Sequence, residues 1–334
     1  MNIVLCLSHS IEEFDQLRLL SGLGYNVFSI GGYIDPAHPH DPKRPALPDV
    51  PFHPDLKAAV DAIGSDDNLG AAQARIPDPI LDWADVIIYH HYLDRLWPQW
   101  ERVRHKRVIW RTVGQSVEGN ERAAAPYRAD GLQIVRYSPK ERNIPGYAGE
   151  DALIRFYKDP TDYGGWTGED PTVIQFAQSF GARRVWCNRD FFEAATDGLP
   201  RVVYGPDSEE LPYGGGTLGY DAMLARLRSA RAYLYTGTQP ASYTLGLIEA
   251  MMTGIPVVSI GPAHMTIFPY GPALFEGHEI AVNWTDDPEE ARGVLRAWLD
   301  GDYGNQGELL RQRAIDMFGR ETIAAQWRGF LGAP

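Results

Sequence analysis

Short apolar runs alternate with amphipathic segments of helical length along the whole chain. In the first half, strands are predicted at 3–7, 26–30, 86–89, 108–110 and 133–137, and helices near 11–23, 55–63 and 118–127. In the second half, strands are predicted at 172–177, 201–204, 232–235 and 256–260, and helices near 189–196, 220–229, 245–253 and 288–300. This alternation is typical of βαβ units and of parallel sheets that helices cover on both faces. The predicted class is α/β.

Two irregular stretches interrupt the pattern. Residues 35–54 contain seven prolines, and residues 159–171 are rich in Gly, Pro and Asp. At 334 residues the chain is long enough for two domains. We therefore predict an N-terminal Rossmann-like domain over 1–165, a C-terminal one over 166–318, and a final helix within 319–334. That helix has an apolar stripe that needs a surface to cover, formed by Ile323, Ala324, Trp327, Phe330 and Leu331.

Composition and charge exclude several classes of protein. Cys6 and Cys187 have no partner at metal-ligand or Cys-x-x-Cys spacing, which argues against a zinc site and a disulfide framework. The first residues lack a basic region, and no apolar run of 18 residues occurs. We expect a cytoplasmic protein without membrane insertion. The net charge of −13 does not indicate nucleic acid binding by bulk electrostatics.

The most informative segment, 232–261, is predicted to fold as strand, loop, helix, tight turn and strand. Gly254 suits the left-handed end of the helix, and Pro256 prevents the helix from restarting before the next strand. At the other end Ser242 and Thr244 occupy helix N-cap positions. Unpaired amides at such a helix start favour an anion. Ser242, Tyr243, Thr244 and Leu245 are therefore candidate binding residues for a diphosphate.

Glu249 lies one helical turn beyond Leu245, on the same face, where its carboxylate would reach a ribose hydroxyl. The alternative is a solvated helix residue. The run Glu249-Ala-Met followed by Gly254-Ile-Pro-Val-Val resembles the nucleotide-sugar motif of the retaining family 4 glycosyltransferases. The resemblance implies a GT-B fold, two Rossmann-like doubly wound domains facing an interdomain cleft, with a UDP-sugar as the favoured donor. It also implies that the final helix crosses back to the N-terminal domain, anchored by Trp327.

Two features bear on how far the resemblance extends. The family carries a second Glu eight positions before Glu249, and here that position is Ala241, which leaves the transferred sugar open. The family also places cations after the first strand of the C-terminal domain; here Arg183, Arg184 and Arg189 stand nearby, although their spacing only approximates the family's. Positive charge there would stabilise a leaving diphosphate without a metal ion. We expect no metal and no cofactor besides the nucleotide-sugar co-substrate.

Polar residues that follow predicted strands mark a candidate acceptor side, because ligands of open parallel sheets bind beyond the carboxyl ends of the strands. His90, His91 and Gln115 are candidate catalytic residues, each with the alternative of a capping or packing role. Candidate acceptor-side residues are Ser8, His9, Arg104, Arg107 and Arg111.

The charge distribution suggests what kind of acceptor this would be. Residues 95–142 hold eleven Lys and Arg against five Asp and Glu. This excess favours an anionic acceptor, such as a modified base in DNA or an acidic glycan. The alternative is a solvated face whose arginines pair with nearby carboxylates.

Other functions remain open. A nicotinamide oxidoreductase would need a Gly-x-Gly-x-x-Gly turn after the first strand, where this chain has Leu7-Ser-His-Ser-Ile-Glu12. A hydrolysing nucleotide-sugar epimerase would share the fold and the donor motif. A catalytically inert nucleotide-sugar-binding protein would keep the donor pocket and lack the family's second Glu, whose position is Ala241 here. The donor motif alone does not separate these two from a glycosyltransferase.

Overall fold

The computed structural model describes residues 1–7, 9–40, 43–91, 93–114 and 116–334. The chain forms two compact units: unit 1 comprises Met1–Tyr157 with Glu321–Pro334, and unit 2 comprises Lys158–Arg320. The predicted boundary at 165 lies inside unit 2, because residues 158–164 pack on that unit. The final segment belongs to unit 1.

Each unit is built on a sheet in which every pairing between the described strands is parallel. The order is β2-β1-β3-β4-β5-β6 in unit 1 and β11-β10-β9-β7-β8 in unit 2. The strands are β1 (Asn2–Cys6), β2 (Asn26–Ile30), β3 (Val86–His90), β4 (Arg107–Arg111), β5 (Gln133–Arg136), β6 (Ala152–Leu153), β7 (Asp170–Phe176), β8 (Arg201–Tyr204), β9 (Ala230–Tyr235), β10 (Val257–Ile260) and β11 (Asn283–Thr285). The predicted α/β class is confirmed.

Helices connect these strands. They are α1 (Ser10–Gly22), α2 (Pro54–Asp61), α3 (Asn68–Ala74), α4 (Asp78–Trp83), α5 (Leu93–Leu96), α6 (Trp100–Val103), α7 (Glu118–Ala129), α8 (Arg189–Ala195), α9 (Tyr220–Ser229), α10 (Leu245–Thr253), α11 (Gly271–Leu274), α12 (Gly277–Ile280), α13 (Pro288–Leu299), α14 (Gln306–Phe318) and α15 (Arg320–Leu331). Short 3-10 turns occur at Trp97–Gln99, Pro139–Asn143 and Pro262–His264.

Strand β1 shows why the apolar runs are nearly continuous. Val4 and Cys6 belong to one buried cluster of unit 1, and Ile3 and Leu5 belong to another. Successive side chains of a strand point to opposite faces, so a sheet covered on both faces needs apolar residues at every position. The second cluster also contains Ile323, Ala324, Trp327 and Leu331 of α15. The apolar stripe of the last helix thus packs on the sheet of unit 1.

The proline-rich stretch after β2 is irregular, and a buried carboxylate anchors its start. Asp41 and Pro42 lie outside the described residues; the rest of 35–53 contains no helix or strand. Glu13 of α1 accepts hydrogen bonds from Ser29 Oγ at 2.6 Å, Tyr33 N at 2.8 Å and Gly32 N at 2.9 Å. Burial nevertheless raises the pKa of Glu13 to about 7, and the hydrogen bonds oppose this shift.

The raised pKa of Glu13 predicts a particular pH dependence. The folded chain binds this proton more tightly than the unfolded chain, so the contribution of Glu13 to stability falls as the pH rises from its ordinary pKa of 4.5 to about 7. The slope for one such group is at most about 1.4 kcal/mol per pH unit. Burial also raises the pKa of Glu141 to about 7, so carbon-detected NMR of labelled glutamate should show two carboxyls titrating near 7. Glu13→Gln should remove one of these signals and leave the other. A Glu13 midpoint near 4.5 would contradict the prediction.

Candidate functional site

The predicted motif in unit 2 folds as expected, with α10 between β9 and β10. Gly254 ends α10 in the left-handed conformation with φ 91°, and its N–H donates to the carbonyls of Ala250 and Met251. Pro256 follows, and β10 begins at Val257. A residue with a side chain would be strained at this φ, which explains the glycine.

The start of α10 lies against the carboxyl ends of β7 and β9. A Cβ added to Gly246 would lie 3.3 Å from Tyr233 Oη and 3.6 Å from the carbonyl oxygen of Phe176. Thr244 is the N-cap residue in an extended conformation, and its side chain makes no capping hydrogen bond. The first amides of such a helix lie at the positive end of the helix dipole, where an anion is favoured. The diphosphate site stays a prediction, and the position of α10 at this edge of the sheet is compatible with it.

Gln239, which the sequence analysis did not identify, joins three loops at this edge of the sheet. Its backbone N–H donates to Trp186 O at 2.8 Å, and its Nε2 donates to Val185 O at 3.1 Å. Its Oε1 accepts from Ile267 N at 2.9 Å. The loops after β7, β9 and β10 are therefore held together beside α10. Ala241 lies in the same loop, half-buried.

The three arginines after β7 differ in their partners. Arg184 forms ion pairs with Asp190 and Glu193, and Arg189 lies 2.9 Å from Glu193. Within the described residues, the half-exposed Arg183 has no ion pair. Arg183 is therefore the cation of the three that keeps its charge available for a ligand.

Glu249 occupies an environment that the sequence did not predict. The residue is only 4% exposed, so the alternative of a solvated helix position is wrong. Its Oε1 lies 2.6 Å from Lys158 Nζ and 3.3 Å from Tyr163 Oη. Lys158 is fully buried. These partners are 91 and 86 residues away in sequence, and no local spacing pointed to them.

In unit 1, His90 ends β3 with 2% of its surface exposed, and both ring nitrogens are buried without a hydrogen-bond partner in the described structure. Burial lowers the pKa of His90 well below its ordinary value, and the charges of Arg111 and His9 act in the same direction. His90 is therefore neutral at pH 7. His91 follows it, half-exposed, with a positive φ of 68°. His9 caps α1, and Ser8 and Gln115 lie outside the described residues.

Two of the predicted acceptor-side arginines bond to backbone carbonyls of unit 1. Arg107 donates to the carbonyls of Leu331 at 3.0 Å and Phe330 at 2.8 Å, at the end of α15. Arg111 is fully buried and donates to the carbonyl of Arg155 at 3.1 Å. The exposed Arg104 pairs with Asp130 at 2.8 Å. The prediction that Arg107 and Arg111 face an acceptor is corrected, because their guanidinium groups satisfy backbone carbonyls within unit 1.

The described residues provide neither a metal site nor a membrane-spanning helix. Among the described residues, no group of three or more His, Cys, Asp and Glu is placed to hold a metal ion. In that same part of the chain, the helices are all too short or too polar to cross a membrane.

The fold is shared with solved glycosyltransferases. A glycosyltransferase of Rickettsia africae ESF-5 is 10% identical, with a TM-score of 0.62 over 100% of this chain and 99% of its own. Anabaena Alr3699/HepE, solved with UDP-glucose, is 12% identical, with a TM-score of 0.62 over 100% of both chains. TarM of S. aureus is 12% identical, with a TM-score of 0.56 over 79% of this chain. The matched part spans only 58% of the TarM chain. No family model and no curated protein matches this chain. The predicted GT-B fold is confirmed.

The buried pair in unit 2 yields a prediction about stability. Glu249→Gln removes the carboxylate that pairs with the buried Lys158 ammonium at 2.6 Å, which should cost about 3–5 kcal/mol. The double variant Lys158→Met with Glu249→Gln removes both charges and should recover most of that loss. Urea unfolding followed by a probe in unit 2 measures the difference. Equal stability of Glu249→Gln and the parent chain would show that the pair contributes nothing.

Proposed function

We propose that this chain is a glycosyltransferase that takes its sugar from a nucleotide-sugar, with a UDP-sugar favoured, bound to unit 2. The observation that supports this best is the uncapped start of α10 at the carboxyl edge of a sheet in a GT-B fold. Anabaena HepE, which has the same fold, was solved with UDP-glucose. Fold likeness alone does not imply an activity, so the proposal depends on the donor-site geometry.

Each part of the donor has a candidate partner in unit 2. The diphosphate would accept hydrogen bonds from the amides at Thr244, Leu245 and Gly246, with the helix dipole behind them. Arg183 would neutralise the charge that develops on the leaving diphosphate. Glu249 would accept from the ribose. Because these groups supply positive charge and donors at the leaving group, we propose metal-independent transfer, with retention of configuration as the resemblance implies.

For the acceptor we propose a site in unit 1 that involves His91. This residue is half-exposed, whereas His90 is buried, so His91 is the histidine of the two that a substrate can reach. Its left-handed backbone is uncommon for a residue other than glycine and occurs at functional sites. The anionic acceptor, including a modified DNA base, receives no support from Arg104, Arg107 and Arg111, which are engaged within unit 1. The chemical class of the acceptor stays a prediction.

A comparison of two arginines tests the donor site. Arg183→Ala should weaken UDP binding by about tenfold or more, because a hydrogen bond to a charged group contributes roughly 1.5–3 kcal/mol. Arg184→Ala is the matched comparison, since its guanidinium already pairs with Asp190, and it should change the Kd by less than about twofold. Isothermal calorimetry with UDP provides both values. Equal losses for the two variants would remove Arg183 from the proposed site.

A product assay separates the alternatives. UDP-glucose and related donors would be incubated with the chain, with and without candidate acceptors, and the released UDP and the sugar products measured. Sugar transfer that requires an acceptor supports a glycosyltransferase. Acceptor-independent hydrolysis with inversion at a sugar carbon supports an epimerase, and binding without turnover supports an inert binding protein.

The same product assay, run with EDTA, tests whether turnover needs a metal ion. Turnover should continue unchanged in EDTA, because Arg183 and the amides of α10 are proposed to stabilise the leaving diphosphate. Turnover that stops in EDTA and returns with Mg²⁺ or Mn²⁺ would contradict the metal-free mechanism.

A further inference from the structure

The first residues of unit 2 pack over the helix that carries Glu249. Lys158 Nζ, at 2.6 Å, and Tyr163 Oη, at 3.3 Å, both donate to the same carboxylate oxygen, Oε1. Lys158 is fully buried and Tyr163 is 7% exposed. Two donors from one short segment thus converge on a single atom of α10.

The segment that supplies these donors is itself fixed to unit 2. Arg228 Nε donates to Gly164 O at 2.8 Å, and Arg311 donates to Pro160 O at 3.2 Å and to Met252 O on α10. The backbone N–H of Lys158 donates to Phe318 O at 3.0 Å, at the end of α14. These bonds fix the backbone that carries Lys158 and Tyr163, and none of them involves the Glu249 side chain.

Stability alone is a weak reason for this arrangement. Burying two charges carries a desolvation cost that their attraction barely offsets, and apolar residues of similar size are often as stable or more stable at such positions. A buried ion pair has a clearer use where one of its members must be held in a fixed orientation. Glu249 sits on the helix whose start is the proposed diphosphate site, so its orientation would matter to the donor.

We propose that Lys158 and Tyr163 are positioning residues that orient the Glu249 carboxylate for the ribose hydroxyls of the donor. The inference rests on the proposed function, because it needs a nucleotide at α10. A carboxylate accepts about four hydrogen bonds, so contacts with Lys158 and Tyr163 are compatible with ribose contacts. Without the two donors the carboxylate would change its rotamer, and recognition of the ribose would weaken while diphosphate binding would remain.

The test measures discrimination between ribose and deoxyribose. Calorimetry gives the Kd of the wild-type chain for UDP, GDP and ADP, and then for the 2′-deoxy form of the tightest binder. Loss of one hydrogen bond to a carboxylate should weaken wild-type binding by about tenfold or more. Tyr163→Phe, which keeps the ring, should reduce that ratio at least about threefold, and Lys158→Arg should reduce it as well.

A matched control and a second readout separate positioning from folding. Tyr213→Phe removes another tyrosine–glutamate hydrogen bond in unit 2, the 2.6 Å contact with Glu193, and should leave the ratio unchanged. A merely structural role of Lys158 or Tyr163 would change both Kd values equally and leave their ratio intact, which would overturn the proposal. Lys158→Arg is chosen because it keeps the positive charge. If that variant does not fold, Tyr163→Phe is the deciding measurement.

The failure of this inference can be distinguished from the failure of the proposed function. If the wild-type chain binds none of the three nucleoside diphosphates, the donor site is wrong, and the positioning role is wrong with it. If the wild-type chain binds one of them and discriminates against its deoxy form, while Tyr163→Phe discriminates equally well, the donor site stands and the positioning role is overturned.

Discussion

The ion pair between Lys158 and Glu249 is the constraint on which the proposed donor site depends. Both residues are buried, and the pair links the first residue of unit 2 to the middle of α10. A buried charge is stable only when it is paired, and the 2.6 Å contact meets this need for both side chains. The first residues of unit 2 are thereby held over α10, next to the Glu249 carboxylate.

The second organising feature is the carboxyl edge of the sheet in unit 2. Parallel strands bring their following loops to the same edge, and ligands of such sheets bind there. Gln239 shows how the loops are fixed: one side chain bonds to the loops after β7 and β10 from the loop after β9. A rigid frame of this kind keeps the start of α10 and Arg183 in a constant arrangement, which a site for a charged ligand requires.

The basic stretch of unit 1 shows that sequence charge and surface charge differ. Arginine is well suited to structural roles because its guanidinium offers five donors in a planar fork. Arg136, fully buried, forms two 2.7 Å hydrogen bonds with Glu121, and Arg107 satisfies the last carbonyls of α15. Such groups count as positive charges in the sequence, but much of their charge is compensated or withdrawn from solvent in the folded unit.

Local rules were enough to predict part of this protein from its sequence. The alternation of apolar runs predicted the parallel sheets, and the left-handed requirement at Gly254 with the stop at Pro256 predicted the end of α10. These depend on neighbouring residues and on backbone sterics, which the sequence displays directly. The partners of Glu249, the loop contacts of Gln239 and the burial of Arg111 were decided by tertiary structure alone. They join residues that are far apart in the chain, and their energies come from desolvation and from hydrogen bonds that exist only once each unit has folded.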